Sequence, residues 1–201
     1  MSRGMSDVSA KSPKTSSRKR LSPDARRAQL LDTAMSVFAE MGLERAGHGD
    51  IAKRAGVSTP TVFNYFPTRD ALVRAVLAQI ERLIDGLFAQ VPPDSDTAEE
   101  RMLAMAAGYT QLVRRYPDVA KTFLKWEVSF DPDIRPLYLE FQERNLDRLE
   151  AYVPAGPDQR TEARILYGSA NMLATMGFDG TDPAVIQSYI RRLSSMLGRE
   201  S

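Results

Sequence analysis

Residues 48–66, HGDIAKRAGVSTPTVFNYF, are expected to form a short helix on each side of a tight turn. Gly56 lies between the two helices and can adopt the positive φ of such a turn without a Cβ penalty. Ala52 is small enough for the helices to cross closely. The positions expected on the inner faces are apolar or aromatic: Ile51, Ala55, Val57, Val62 and Tyr65. The stretch therefore predicts a helix-turn-helix.

The second of these helices has a polar leading end. A helix that enters the major groove of DNA needs short polar side chains near its N-terminus, where they reach base edges. Ser58, Thr59, Thr61 and Asn64 fit this requirement, and Pro60 lies in the first turn, where its missing N–H costs little. The alternative is a helical hairpin in an ordinary core. The small residue, the turn glycine, the apolar positions and the polar end together favour DNA binding.

Helix signals fill the rest of the chain beyond an N-terminal arm. Residues 1–20 are Ser-rich and basic, and we expect them to be disordered because they bury too little apolar surface to fold alone. Ser22 caps a first helix that Gly42 ends. Further helices are predicted at residues 47–55 and 58–66, from Thr68 through Val91, and at about 96–115, 117–130, 131–153, 159–177 and 183–198. No segment shows sustained strand alternation, so the fold class is all-α.

Composition excludes several kinds of active site. The chain has no cysteine and one histidine, which excludes disulfides, cysteine-based metal sites and a cysteine nucleophile and argues against a histidine-rich metal site. We expect no metal site. The glycines of GLERAGHG follow a helix rather than a strand, so they do not form a nucleotide fingerprint. We expect no cofactor and no catalytic residues. No apolar run is long enough to cross a membrane and the N-terminus lacks a signal-peptide core, which favours a cytoplasmic protein.

The net charge of +1 conceals an asymmetry along the chain. Residues 1–69 contain 12 Lys or Arg and 6 Asp or Glu, whereas residues 70–201 contain 15 and 20. A basic first third on a mildly acidic body indicates that one end meets a polyanion. The simpler alternative is a solvated surface with a basic tail.

The surrounding sequence resembles the TetR family of transcriptional regulators. The resemblance covers about residues 25–77 and rests on RRAQLLDTAMSVFAEMGL followed by DIAKRAGVSTPTVFNYFPTRDALVRAVL. Within that family, RKRLSP, GHGDIA and VFNYFPTRDALV are similar to the LuxR/HapR/SmcR branch of quorum-sensing master regulators. The resemblance implies an arm at 1–20, a three-helix DNA-binding domain at 21–68 and a helical regulatory and dimerisation domain at 69–201. It also implies a homodimer that binds a double-stranded DNA operator and acts as a repressor or dual regulator.

The resemblance also implies roles for single residues at the DNA. Asn64 would contact base edges, and Ser58, Thr59 and Thr61 would reach bases or phosphates. The residues expected to hold phosphates are Tyr65, Thr68 and Arg69. Arg18 and Arg20 would enter the adjacent minor groove. His48 would face a phosphate, or else would be only an exposed residue at a helix start.

The C-terminal helices carry aromatic residues that can converge on one apolar centre. The residues of this candidate ligand site are Phe88, Met105, Tyr109, Phe123, Trp126, Tyr138, Phe141, Gln142 and Asn171. The helix predicted at 117–130 also carries Val119 and Phe130. Gln142 and Asn171 would project polar groups into it. An apolar cavity with a few polar groups is the usual form of a small-molecule site, so we expect a small apolar effector. The alternative is a plain packed core.

The last two helices have the pattern of a dimer seam. Val185, Tyr189, Leu193, Met196 and Leu197 recur on one face of the final helix, and the small residues Gly168, Ser169, Ala170 and Ala174 permit close approach of the helix before it. Two helices from each subunit would form a four-helix bundle. Two other functions remain as alternatives: a helical ligand-binding protein or enzyme with an incidental hairpin, and an architectural DNA-binding protein without sequence preference.

Overall fold

The computed structural model describes residues 21–91, 93–94 and 97–197, and this part of the chain consists of helices and connecting turns. The helices are α1 Pro23–Met41, α2 His48–Ala55, α3 Thr59–Tyr65, α4 Arg69–Gln90, α5 Ala98–Arg115, α6 Pro117–Glu127, α7 Arg135–Leu149, α8 Gln159–Phe178 and α9 Pro183–Leu197, with a 3-10 turn at Glu150–Tyr152. No strand occurs in the described residues, and the prediction of an all-α fold is confirmed.

The boundaries of α1 follow the predicted signals. Ser22 Oγ accepts a hydrogen bond from the backbone N–H of Ala25 at 3.2 Å, and Gly42 ends the helix with φ of +86°. A left-handed φ of this kind favours glycine, which has no Cβ to clash. The predicted apolar face of α1 is buried and includes Leu30, Leu31, Ala34, Val37 and Phe38.

The first four helices form one packed unit. α1 packs on α2 and α4, and α2 packs on α3. Pro67 follows α3, and the Thr68 hydroxyl then accepts from the backbone N–H of Ala71 at 3.1 Å, which caps α4. Phe66 ends α3, so only Pro67 and Thr68 lie between that cap residue and the first residue of α4.

The remaining helices enclose a second part of the core, and α5 is central to it. α5 contacts α4, α6, α8 and α9. Its approach to α4 is close at Gly108, where an added Cβ would lie 2.6 Å from Leu87 Cδ1. The absence of a side chain at this position therefore lets the two helices pack without displacing Leu87.

α6 joins the two parts of the molecule. It packs along α1, where the buried Thr122 hydroxyl donates to the carbonyl of Met35 at 3.2 Å. Farther along, Lys125 Nζ donates to the carbonyl of Glu40 at 2.8 Å. Two side chains of α6 thus hold the backbone of α1 directly.

The predicted helices at 117–130 and 131–153 need correction. α6 ends at Glu127 and α7 begins at Arg135. Asp131 precedes Pro132, which disfavours helical backbone at that aspartate, and the Asp131 carboxylate accepts from the backbone N–H of Asp133 at 2.9 Å. Phe130 consequently lies outside the helix and is 82% exposed instead of joining the core.

None of the helices in the described part of the chain combines the length and apolar character that crossing a membrane requires.

Candidate nucleic-acid interface and internal cavity

The turn between α2 and α3 has the geometry that the sequence predicts. Gly56 has φ of +66°, and the backbone N–H of Val57 donates to the carbonyl of Ala52 at 3.0 Å. At the other end of α2, the backbone N–H of Gly47 donates to Asp50 Oδ2 at 3.0 Å. Both ends of this short helix are therefore satisfied by local hydrogen bonds, which fixes its direction relative to α3.

α3 buries one face and exposes the other. Val62 and Phe66 are buried in the core, while Ser58, Thr59 and Asn64 are exposed. Ser58 Oγ accepts from the backbone N–H of Thr61 at 3.3 Å and so caps the helix. The exposed face of α3 thus carries short polar side chains beside an apolar anchor.

The predicted DNA contacts fall into three groups. Ser58, Thr59, Asn64 and Thr68 are exposed, whereas Thr61, Tyr65 and Arg69 are half-buried at the edge of the same surface. Arg18 and Arg20 lie outside the described residues. The predicted contact residues in the described part of the chain therefore lie on α3 and at the start of α4.

His48 is not the exposed helix-start residue that was one of its two expected roles. It is 7% exposed, and its Nε2 donates to the carbonyl of Phe66 at 2.7 Å. Its ring stacks on Phe63 with 4.0 Å between centroids and 3° between planes. Local sequence patterns do not indicate these contacts, because Phe66 lies eighteen positions after His48. The ring therefore joins the start of α2 to the end of α3.

Arg69 also has a structural contact. Its guanidinium donates to the carbonyl of Leu43 in the turn after α1. This contact ties the first turn of α4 to the end of α1, in addition to the predicted phosphate role. Thr68 differs, because its hydroxyl oxygen accepts the capping hydrogen bond and its hydroxyl hydrogen remains able to donate to a phosphate.

Three exposed side chains near α3 had no role in the sequence prediction. Lys53 lies in the last turn of α2 and forms no ion pair in the described part of the chain, and Phe63 is 45% exposed beside Asn64. Arg54 is paired with Glu40, with Nη2 and Oε2 2.5 Å apart, and this hydrogen bond lowers the pKa of the Glu40 carboxyl. Because Arg54 is already paired with Glu40, Lys53 is the more available of the two cations, and its place in the last turn of α2 follows from the predicted bounds of that helix.

An internal cavity of about 80 Å³ lies among α4, α5, α6, α7, α8 and α9. Six of the residues proposed from the sequence line it: Phe88, Met105, Tyr109, Phe123, Phe141 and Asn171. A space of ~10–15 Å³ suffices for one water, so the cavity is large enough for a small molecule of several heavy atoms. The aromatic residues thus surround a space in addition to forming a packed core.

Three of the proposed lining residues lie outside the cavity. Trp126 and Tyr138 are buried behind it, and Trp126 contacts Phe141 with 5.1 Å between ring centroids. Gln142 Nε2 donates to the Tyr138 hydroxyl at 3.2 Å. The reason is helical geometry, since Phe141 lines the cavity and Gln142 points about 100° away from it.

A polar cluster beside the cavity was missed by the sequence reasoning. Glu127 Oε1 accepts from Asn171 Nδ2 at 2.7 Å and from the Tyr138 hydroxyl at 3.2 Å. The Tyr167 hydroxyl donates to the Tyr138 hydroxyl at 3.3 Å. Burial raises the pKa of Tyr138 to about 12, and burial likewise raises the pKa of Tyr109 and of Tyr167, so all three phenols stay protonated near neutral pH. The members of this cluster come from α6, α7 and α8, so no local sequence pattern indicates that they meet.

The exposed faces of α8 and α9 modify the predicted dimer seam. On α8, Ile165, Gly168 and Met172 are exposed, whereas Ser169 and Ala174 are buried and Ala170 is half-buried at the cavity. On α9, Val185 and Met196 are exposed and Tyr189 is half-buried, whereas Leu193 lines the cavity and Leu197 is buried in the same subunit. The apolar stripe available to a partner is therefore narrower than predicted.

Known proteins with similar sequences are helix-turn-helix transcriptional regulators. Residues 30–76 match the family of bacterial regulatory proteins described as the tetR family. The HTH-type transcriptional regulator LuxR of Vibrio harveyi is 36% identical over 139 residues, which span 69% of this chain and 66% of LuxR. The regulator BetI of Vibrio campbellii is 30% identical over 165 residues, or 79% of this chain and 82% of BetI.

Similarity to solved structures extends over most of the fold. A TetR-like transcriptional regulator from Rhodococcus sp. RHA1 superimposes with a TM-score of 0.74 at 19% identity and covers 89% of this chain and 96% of its own. The helical fold of this chain is therefore a recurring architecture.

Proposed function

This chain belongs to the tetR family of transcriptional regulators, and from that premise we propose that it binds a specific operator as a homodimer and releases or retains it according to what fills its cavity. The chain is a DNA-binding regulator with a C-terminal ligand-binding domain. The observation that carries the proposal is the exposed polar face of α3, held on a core formed by Val62 and Phe66.

DNA reading is assigned to α3 and the start of α4. The exposed amide of Asn64 can form a bidentate contact with an adenine edge, and Ser58, Thr59 and Thr61 accompany it on the leading half of the helix. Tyr65, Thr68 and Arg69 hold phosphates and fix the register. Lys53 adds a phosphate contact from α2, and the arm residues Arg18 and Arg20 follow the minor groove.

Dimerisation is assigned to α8 and α9. Ile165, Met172, Val185 and Met196 are large apolar side chains exposed on these helices, and Gly168 lies between the first two. Exposed apolar side chains that align on neighbouring helices favour burial against a second copy. Two helices from each subunit then form a four-helix bundle, which places the two α3 helices about 34–36 Å apart for consecutive major grooves.

Regulation is assigned to the cavity and transmitted by two helices. Phe123 of α6 lines the cavity, and its neighbour Thr122 holds the carbonyl of Met35 in α1. Phe88 of α4 lines it as well, and α4 leads back to α3 through Thr68 and Pro67. A small apolar effector changes operator affinity only if it binds the two conformations differently, and coupling of about 1–3 kcal/mol is typical.

The proposal is tested by selection from a random DNA duplex library with the full chain, followed by sedimentation of the protein alone. We expect a pseudo-palindromic motif and a dimer mass. Met172→Glu should lower the dimer fraction and weaken operator binding, while Gln187→Glu, an exposed polar position about 200° around α9 from Val185, serves as the control. Equal affinity for all duplexes would support an architectural protein instead, and a monomer that selects a motif would exclude the α8 and α9 seam.

A further inference from the structure

One residue of the cavity lining carries a buried hydrogen-bond acceptor that the protein leaves unsatisfied. Asn145, on α7, lines the cavity and is 5% exposed. Its Oδ1 has no hydrogen-bond partner in the described part of the chain. Buried polar atoms are paired in the great majority of cases, because an unpaired one loses its hydration without replacement. This oxygen therefore marks the point at which a bound molecule gains most from a polar group.

The hydrogen bond made by Asn145 Nδ2 determines the orientation of the side-chain amide. Asn145 Nδ2 donates to the carbonyl of Phe141 at 2.8 Å, one helical turn earlier. The reversed amide would place two acceptor oxygens against each other, so the unpaired atom is the oxygen and not the nitrogen. The complementary group on a ligand is consequently a hydrogen-bond donor.

The other residues of the lining indicate the charge and polarity of a ligand that fits the cavity. The twenty residues that line the cavity include no Asp, Glu, Lys or Arg, so an ionised ligand would be buried without a counter-ion. Five other polar residues line it: Asn171, Ser169, Tyr109, Tyr167 and Ser194. Asn171 Nδ2 donates to Glu127, the Ser169 hydroxyl to the Ile165 carbonyl and the Tyr167 hydroxyl to the Tyr138 hydroxyl. Most of the other lining side chains are aliphatic or aromatic.

We infer that the cavity takes a small uncharged ring or short-chain molecule with one hydrogen-bond donor, and that this donor binds Asn145 Oδ1. The inference rests on the proposed function, which places an effector in the cavity, and it adds the chemical class. The cavity of about 80 Å³ limits the molecule to several heavy atoms. Compounds that only accept hydrogen bonds leave Asn145 Oδ1 unpaired and bind less tightly.

The test compares two probes of similar size and polarity by isothermal titration calorimetry. Cyclohexanol offers a donor, whereas cyclohexanone offers only an acceptor; cyclohexylamine, charged at pH 7, tests the exclusion of ions. We expect cyclohexanol to bind about tenfold more tightly than cyclohexanone, as one hydrogen bond to a buried partner provides. We expect no detectable binding of the ammonium. Equal affinities for alcohol and ketone, tighter binding of the ammonium, or no binding of the alcohol would overturn the inference.

Variants on α7 locate the contact. Asn145→Leu keeps the size of the side chain, removes the unpaired oxygen and should abolish the preference for the alcohol. Gln142→Leu, three positions earlier and outside the cavity, should leave the preference unchanged. If Asn145→Leu keeps the tenfold ratio, Asn145 is not the acceptor. The wild-type ratio is decisive without a variant, should Asn145→Leu fail to fold.

Operator binding, measured on the same preparations by fluorescence anisotropy, separates this inference from the proposed function. A protein that binds its operator but does not distinguish the two probes retains the proposed function and loses the inference. A protein that distinguishes the probes but binds no duplex sequence specifically retains the ligand class and loses the proposed function.

Discussion

The imidazole of His48 donates from Nε2 to the backbone carbonyl of Phe66, 2.7 Å away, and this bond connects the first residue of α2 with the residue that ends α3. The ring also covers one face of Phe63. The angle between the two helices of the DNA-binding unit therefore depends on a side chain that is buried and not on one that faces DNA.

His48→Ala should destabilise the protein. The substitution removes the donor to the Phe66 carbonyl and the stacking on Phe63, and the expected loss is about 1–3 kcal/mol in the free energy of unfolding. Urea denaturation measures it. Asn64→Ala is the control, because its exposed side chain should change stability by no more than about 0.5 kcal/mol. A His48→Ala protein of wild-type stability with weakened DNA binding would restore the phosphate role.

Asn64→Ala should relax specificity at one base position in each half-site. The expected cost is about 1–3 kcal/mol for the preferred base, with little change at other positions. Competition binding with operators substituted one position at a time measures this cost. Gln90→Ala, an exposed amide at the opposite end of α4, is the matched control. If Asn64→Ala retains the wild-type ratio between specific and scrambled duplexes, another residue reads that base.

Removal of residues 1–20 should weaken binding and make it less dependent on salt. The segment contains six Lys or Arg, and each phosphate neutralised contributes about −0.9 to the slope of log affinity against log salt. Preference for A·T pairs beside the half-sites should also fall. The double variant Arg18→Ala, Arg20→Ala separates minor-groove contacts from the total charge of the arm. An unchanged slope together with an unchanged flank preference would exclude any contact between the arm and DNA.

Stability should decline at alkaline pH. Burial raises the pKa of Tyr138 to about 12, above the value of about 10 in the unfolded chain. A phenol with a raised pKa binds its proton more tightly in the folded state. Its contribution to stability is therefore complete below about pH 10 and is lost as the pH rises toward 12.

Urea unfolding between pH 9 and pH 11.5 measures this decline. Tyr138→Phe should lower stability at pH 8, because Glu127 and Gln142 lose a partner, but it should make the decline above pH 10 shallower. Part of the decline should remain in this variant, because burial also raises the pKa of Tyr109 and of Tyr167. A Tyr138→Phe protein whose stability falls as steeply as that of the wild type would assign the effect to the other two phenols.

Local signals predicted the DNA-binding unit well. Ser22, Gly42, Gly56 and Thr68 determine helix ends through their own backbone or side chain, and all four act where expected. Pro132 is a local signal for the turn at Asp131, whereas the aromatic residues that continue to Phe130 favour a longer helix. The structure follows the proline signal, since α6 ends at Glu127. Local patterns thus placed the helices more reliably than their exact ends.

Long-range contacts account for most of what the sequence did not reveal. The partner of His48 is set by the packing of α3, and the partners of Glu127 come from α7 and α8. The cavity was located correctly in outline, yet Trp126, Tyr138 and Gln142 lie behind its lining, because helical spacing shows which residues share a face but not which neighbour that face meets.

The close approach of Gly108 to Leu87 suggests one route by which related regulators can come to bind different ligands. Leu87 lines the cavity and Gly108 does not, so a methyl group added at position 108 would force the Leu87 side chain to move and would change the shape of the cavity lining. Evolution can therefore alter which molecule the protein senses by a single substitution behind the lining, while every residue that touches the ligand and every residue of α3 stays the same.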